Sequence, residues 1–123
     1  MRKLSAVVAL AALSIGGPLL AADPKEPRTR LWNLTGETIA KFEMAPAGTT
    51  TFGADQCRND KDGSVDHDER LRIKDIPDGK YDARVTFAKT DRVCFARGLD
   101  VKTGGVFSVE AQDLADCSAP AQK

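Results

Sequence analysis

The sequence predicts an all-β fold: a small antiparallel β-sandwich or open barrel of about six strands. Three observations predict it. Short runs alternate between apolar and polar residues with the period of a strand, Gly- and Pro-bearing turns separate them, and no helical stripe of useful length follows residue 22.

The first two runs are residues 30–35, with Trp32 and Leu34 on one face, and 38–44, with Ala40, Phe42 and Met44 on one face. The Thr35-Gly36-Glu37 link between them reads as the turn of a hairpin. Ala45-Pro46-Ala47-Gly48 ends this unit, and residues 49–68 form a long connection with little apolar periodicity. Connections of this length are commonly functional. Alternation resumes at Glu69, with Leu71 and Ile73 opposite Arg70, Arg72 and Lys74. Pro77-Asp78-Gly79 is a turn, because proline presets φ and glycine accepts a positive one.

Residues 80–88 make the clearest strand, with Tyr81, Ala83, Val85 and Phe87 facing in and Asp82, Arg84 and Thr86 facing out. After a turn at 89–91, the run 92–101 carries Val93 and Phe95, and Gly98 marks a bulge that resets the alternation before Leu99 and Val101. A turn at 102–105 leads to Phe107 and Val109, and Leu114 caps the core. Trp32, Phe42, Leu71, Ile73, Tyr81, Val85, Phe95 and Phe107 are therefore expected in or bordering the core. A mixed α+β fold, with a helix within 49–68 or 110–117, is the alternative.

The start of the chain has the order of a secretory signal peptide. Arg2 and Lys3 precede an apolar stretch, Gly16-Gly17-Pro18 breaks it, and Ala21 and Ala22 follow. The apolar stretch is shorter than the roughly 20 residues that span a bilayer. The expected organisation is a signal peptide at 1–22, an extended lead-in at 23–29, one β domain at 30–117 carrying an acidic loop at 55–69, and a tail at 118–123. The expected location is periplasmic or secreted. Residues 1–22 carry two basic residues and no acid, so removing them leaves 16 basic against 18 acidic residues, a net charge of −2. That balance argues against nucleic acid or an anionic membrane as partner, since both need clustered positive charge.

All three cysteines, Cys57, Cys94 and Cys117, follow the expected cleavage point, where export permits a disulfide. Their spacing fits neither a zinc knuckle nor a redox motif. If the last strands pair about Thr103 and Gly104, Cys94 lies near Asp113, and Cys117 can fold back to meet it. The favoured bridge is Cys94–Cys117, leaving Cys57 as a free thiol.

The acidic loop is the most informative segment. Six of the fifteen side chains in 55–69 are carboxylates, against Arg58 and Lys61. Crowded carboxylates repel one another unless a cation sits among them. Calcium loops of the EF-hand type place oxygen ligands at positions 1, 3, 5, 7, 9 and 12, with glycine at 6. With Gly63 at position 6, Asp60, Asp62, Ser64 (through its carbonyl), Asp66 and Glu69 fall at 3, 5, 7, 9 and 12, and Asp68 lies beside them. Position 1 is Arg58, and the sequence after the loop reads as strand, so this is not a true EF-hand. The expected hard-cation ligands are Asp60, Asp62, Ser64, Asp66, Asp68 and Glu69. The rival reading is a solvated acidic turn balanced by Arg58 and Lys61. His67, the only histidine, is expected at the surface.

Several stretches together resemble a group of small exported bacterial β-domain proteins. They are Leu34-Thr35-Gly36-Glu37-Thr38-Ile39, Ala45-Pro46-Ala47-Gly48, the run from Asn59 to Leu71, and Gly79-Lys80-Tyr81-Asp82. Within that group the chain is similar in kind to the landiscernin type, periplasmic lanthanide-binding proteins. The resemblance implies trivalent lanthanide binding coupled to dimerisation through the bound metal. A homodimer would then supply the ligand that Arg58 does not, with calcium as the other candidate cation.

The competing function is an exported protein-interaction module, docking through a sheet edge or the long loop. An enzyme is not expected, because one loop histidine offers no visible nucleophile and base.

Overall fold

A computed structural model of the chain describes residues 28–118. The expected signal peptide, residues 23–27 of the lead-in and residues 119–123 of the tail lie outside the described residues. The strands are β1 (Thr29–Leu34), β2 (Ile39–Pro46), β3 (Arg70–Ile73), β4 (Gly79–Phe87), β5 (Val93–Val101), β6 (Val106–Glu110) and β7 (Leu114–Ala115). Two sheets result. One has the order β3-β1-β6, with β1 antiparallel to β3 and parallel to β6. The other is the antiparallel sheet β2-β4-β5-β7. This is the expected all-β sandwich. The two segments in which a helix would have made the fold mixed hold only short 3-10 turns, Gln56–Asn59 and Ala111–Asp113.

The core lies between the sheets. Leu31, Leu71 and Val109 come from one side, and Phe42, Val85 and Phe87 from the other. Phe42 meets Phe107 across the gap at a ring separation of 6.3 Å. Truncating a phenylalanine in such a place costs about 3–5 kcal/mol.

Strand positions follow the alternation, but two connections differ from it. β1 and β2 are not a hairpin: β1 pairs with β3 and β6, whereas β2 pairs with β4. A polar glycine turn suits either a hairpin or a crossing between sheets. Here Asn33 favours the crossing, because its buried amide donates both to the Glu37 carbonyl at the end of the turn and to the Val65 carbonyl of the acidic loop. Likewise β5 does not pair with β6. The turn at 102–105 hands the chain to the other sheet, where Arg30 N–H donates to the Gly105 carbonyl at 3.0 Å and Gly104 N–H to Thr29 Oγ1 at 3.0 Å.

The facing of β1 is also opposite to expectation. Thr29, Leu31 and Asn33 point inward, while Trp32 and Leu34 are half-buried. On β5, Cys94 and Ala96 point inward and Phe95 is half-buried, packed on Phe52 at 6.0 Å. The expected bulge is present. The β4–β5 register slips between Tyr81 and Ala83, opposite Gly98, whose φ is +68°. That extra residue moves the buried positions from Cys94 and Ala96 to Val101.

Asp82, expected outside, is buried, and it holds the bulge. Its carboxylate accepts from Gly98 N–H at 3.0 Å and Gly48 N–H at 2.9 Å.

Cys94 and Cys117 form the disulfide. The route differs from the expected one. Cys94 reaches Cys117 because β5 pairs with β7, Phe95 opposite Ala115, and Ser118 N–H then donates to the Val93 carbonyl at 2.8 Å. A bridge closing a loop of this length contributes about 3 kcal/mol in the chain-entropy view.

Candidate functional site

The acidic loop joins β2 to β3, and the sandwich anchors it at three places. The first anchor is the turn Gln56–Asn59, whose Gln56 and Cys57 are buried. Asp55 starts that turn by accepting from Cys57 N–H at 2.9 Å, and the same oxygen accepts from Phe42 N–H of β2 at 3.0 Å. Gln56 bonds both the N–H and the carbonyl of Lys74, at 2.9 and 3.0 Å. Asp55 therefore has a structural task.

The second anchor is Val65, which is fully buried. It exchanges two backbone hydrogen bonds with Ile39, at 2.9 and 3.0 Å. The third is Asp68, whose N–H donates to the Asn33 carbonyl at 2.6 Å. Its carboxylate Oδ1 accepts from the indole N–H of Trp32 at 3.0 Å.

The six expected ligands thus fall into two groups separated by Val65. Asp60, Asp62 and Ser64 lie on the turn before it. There Asp60 Oδ2 accepts from Asp62 N–H at 3.0 Å, and Gly63, at φ +74°, makes the bend. Glycine suits that position because it takes a positive φ without steric cost.

Asp66, Asp68 and Glu69 lie on the turn after it. Asp66 Oδ1 accepts from the Thr38 hydroxyl at 2.8 Å, and Glu69 Oε1 accepts from Asp66 N–H at 3.0 Å. Each of these three carboxylates has one oxygen engaged by the protein and a second without a hydrogen bond among the described residues. The two groups are not drawn into one cluster. Among the described residues, no three His, Cys, Asp or Glu side chains are gathered into a ready cage for a metal. His67 is exposed, as expected, and its Nδ1 accepts from Gly36 N–H at 3.1 Å.

The electrostatic setting is one-sided. The ion pairs among the described residues use Glu43, Glu37, Asp82, Asp116 and Asp100. None uses a carboxylate of the loop. Arg58 and Lys61, placed to balance the charge, form no ion pair with it.

Cys57 lies beneath the loop with its thiol donating weakly to the Ile39 carbonyl at 3.6 Å. Burial, with the nearby carboxylate of Asp55, pushes that thiol up to about 12. Its thiolate is therefore not available as a soft metal ligand near neutral pH.

The sequence reading missed the residues that fix the loop to the sandwich, above all Asn33 and Trp32. A signal existed for Asn33: an amide inside an otherwise apolar strand is disfavoured unless it has buried partners.

The fold defines a class, the small two-sheet β-sandwich, here with an acidic loop pinned along the edge strands β2 and β3. The chain matches no protein-family model, no characterised protein and no solved structure.

Proposed function

We propose that this chain is an exported, periplasmic cation-binding protein whose loop 55–69 takes a hard cation, a lanthanide or calcium. The observation that carries the reading is the charge on that loop. Six carboxylates lie within fifteen residues, and none is neutralised by an ion pair among the described residues. Carboxylates so placed raise the affinity of the segment for a cation that takes oxygen donors.

Val65 is the pivot of the arrangement. A cation would draw the turn bearing Asp60, Asp62 and the Ser64 carbonyl toward the unengaged oxygens of Asp66, Asp68 and Glu69. The core contact of Val65 would hold both turns in place while they close. A trivalent ion gains more than calcium from the same oxygens, because attraction grows with charge.

Calorimetric titration with lanthanum and with calcium tests the proposal, on the wild type and on Asp62→Asn/Asp66→Asn. Lanthanum should bind more tightly than calcium, and the double variant should lose both while its β-type circular dichroism is retained. Equal, negligible heats from both proteins would leave the loop a solvated turn and return the chain to the interaction-module reading.

A further inference from the structure

The outer face of the three-stranded sheet carries a second unbalanced charge, of the opposite sign. Arg30 on β1 stands directly opposite Arg72 on β3, and Trp32 stands opposite Arg70. All three arginines are exposed, and none forms an ion pair among the described residues. Arg70 lies over the Trp32 ring at 4.3 Å. On the other side of Arg30 stands Val106, which is 52% exposed. Like charges directly opposite on neighbouring strands are destabilising by themselves, so this row costs the isolated fold stability.

The same face ends in the acidic turn. Asp68 reaches back to Trp32, and Asp66 and Glu69, both exposed, lie on the same turn, held together by the Asp66 N–H to Glu69 Oε1 hydrogen bond. Acid therefore sits at one end of the β1–β3 pair and base at the other, about 13 Å apart at the usual strand rise.

We propose that this face docks a second copy of the chain, with the arginine end of each copy over the acidic turn of the other. A two-fold axis lying in the contact plane and perpendicular to β1 reverses the strand direction. It sets Arg30 and Arg72 of one copy against residues 66–69 of its mate, twice over. The patch is self-complementary, as a two-fold contact requires. Trp32, Arg70 and Val106 fall within it, and large aromatic residues and arginine are what stable contacts are enriched in. The neighbouring acid also disfavours the other occupant of a basic face, an anionic surface. This dimer differs from a metal-centred one, because it forms without any cation and a cation on the loop would weaken it.

The test is analytical ultracentrifugation in chelator. The wild type should dimerise at low salt, and its dissociation constant should rise at least about tenfold between roughly 20 and 500 mM salt, where exposed charges are screened. Arg30→Glu/Arg72→Glu should be monomeric at the same concentrations. Those two side chains make no hydrogen bond among the described residues, so this variant should fold. Asp66→Lys/Glu69→Lys should also be monomeric, and mixing the two charge-reversed proteins should restore a 1:1 dimer. A wild type that stays monomeric at low salt, or a dimer that Arg30→Glu/Arg72→Glu leaves intact, would overturn the proposal. So would a monomer that binds vesicles of anionic phospholipid through these arginines. Because every arm runs in chelator, its failure is separate from failure of the cation reading.

Discussion

The side-chain amide of Asn33, on β1, donates to the carbonyl oxygen of Val65 at 3.0 Å and so ties the middle of the acidic loop to the sandwich. The same nitrogen donates to the Glu37 carbonyl at 2.8 Å. Its Oδ1 accepts from the N–H and the hydroxyl of Thr35, at 3.0 and 2.7 Å. Asn33 is completely buried, and every hydrogen bond an amide can make is used.

Asn33→Ala should therefore destabilise the domain by about 2–4 kcal/mol, since it strands buried polar groups and opens a void. Asn33→Asp is nearly the same size but should be no milder, because a carboxylate would face two carbonyl oxygens. Urea unfolding measures both. A loss under about 0.5 kcal/mol would mean that the amide does not hold the loop.

This residue also explains what could and could not be read from the sequence. β3 and β4 were legible because their apolar residues alternate, with Leu71 and Ile73, or Tyr81, Ala83, Val85 and Phe87, on one face, and Asp82 alone departs from the pattern. The partners of β1 were not, since alternation gives the period of a strand and says nothing of which strand lies beside it. Its facing depended on Asn33 satisfying its amide inside and Trp32 placing its indole N–H at the surface. Apolar counting reverses that choice. In the loop, the glycine bend at Gly63 was legible from spacing, whereas the separation of Asp60 and Asp62 from Asp66, Asp68 and Glu69 was not. One valine pinned to the core at Val65 produces it, and a single apolar residue in a polar run carries no periodicity.

Asp82 should set part of the acid sensitivity of the fold. Hydrogen bonds from Gly48 N–H and Gly98 N–H hold its carboxyl below the usual carboxylate range, against the effect of burial and with help from Arg97. A folded-state pKa below the unfolded one means that the ionised group stabilises the fold fully above the ordinary aspartate value of about 4. That contribution is lost as pH falls through the folded value. Asp82→Asn should lower stability near pH 7 by about 2 kcal/mol, because one acceptor of two charged hydrogen bonds becomes a donor. The gap to the wild type should narrow as pH drops below about 4. Denaturant midpoints across that range provide the check, and a gap independent of pH would exclude Asp82 as the titrating group.

Cys57 should behave as an inert core residue. Its thiol is buried, and burial with the Asp55 carboxylate nearby raises it to about 12. An aromatic disulfide reagent near pH 8 should label the native protein only as fast as the domain opens, and label it at once in denaturant. Rapid labelling of the native state would show that the turn Gln56–Asn59 opens independently of the core.

Trp32 is the only tryptophan, and it touches the loop directly, so it should report a bound cation. Its indole N–H donates to Asp68 Oδ1, and Arg70 covers its ring. A cation that recruits Asp68 must pull on that hydrogen bond, so adding lanthanum should change the indole emission. Terbium in the same place should luminesce when the indole is excited, because energy transfer of this kind requires a short separation. Asp68→Asn separates charge from geometry. The amide oxygen can still accept from the indole, and asparagine tolerates the positive φ of +73° found there. This variant should keep the emission of the free protein while its lanthanum affinity falls about tenfold, the loss expected on removing one carboxylate ligand, worth about 1.4 kcal/mol. Asp68→Ala should alter emission even without metal, since the indole loses its partner. If lanthanum binds the wild type without disturbing Trp32, the cation does not recruit Asp68, the one expected ligand that the indole holds.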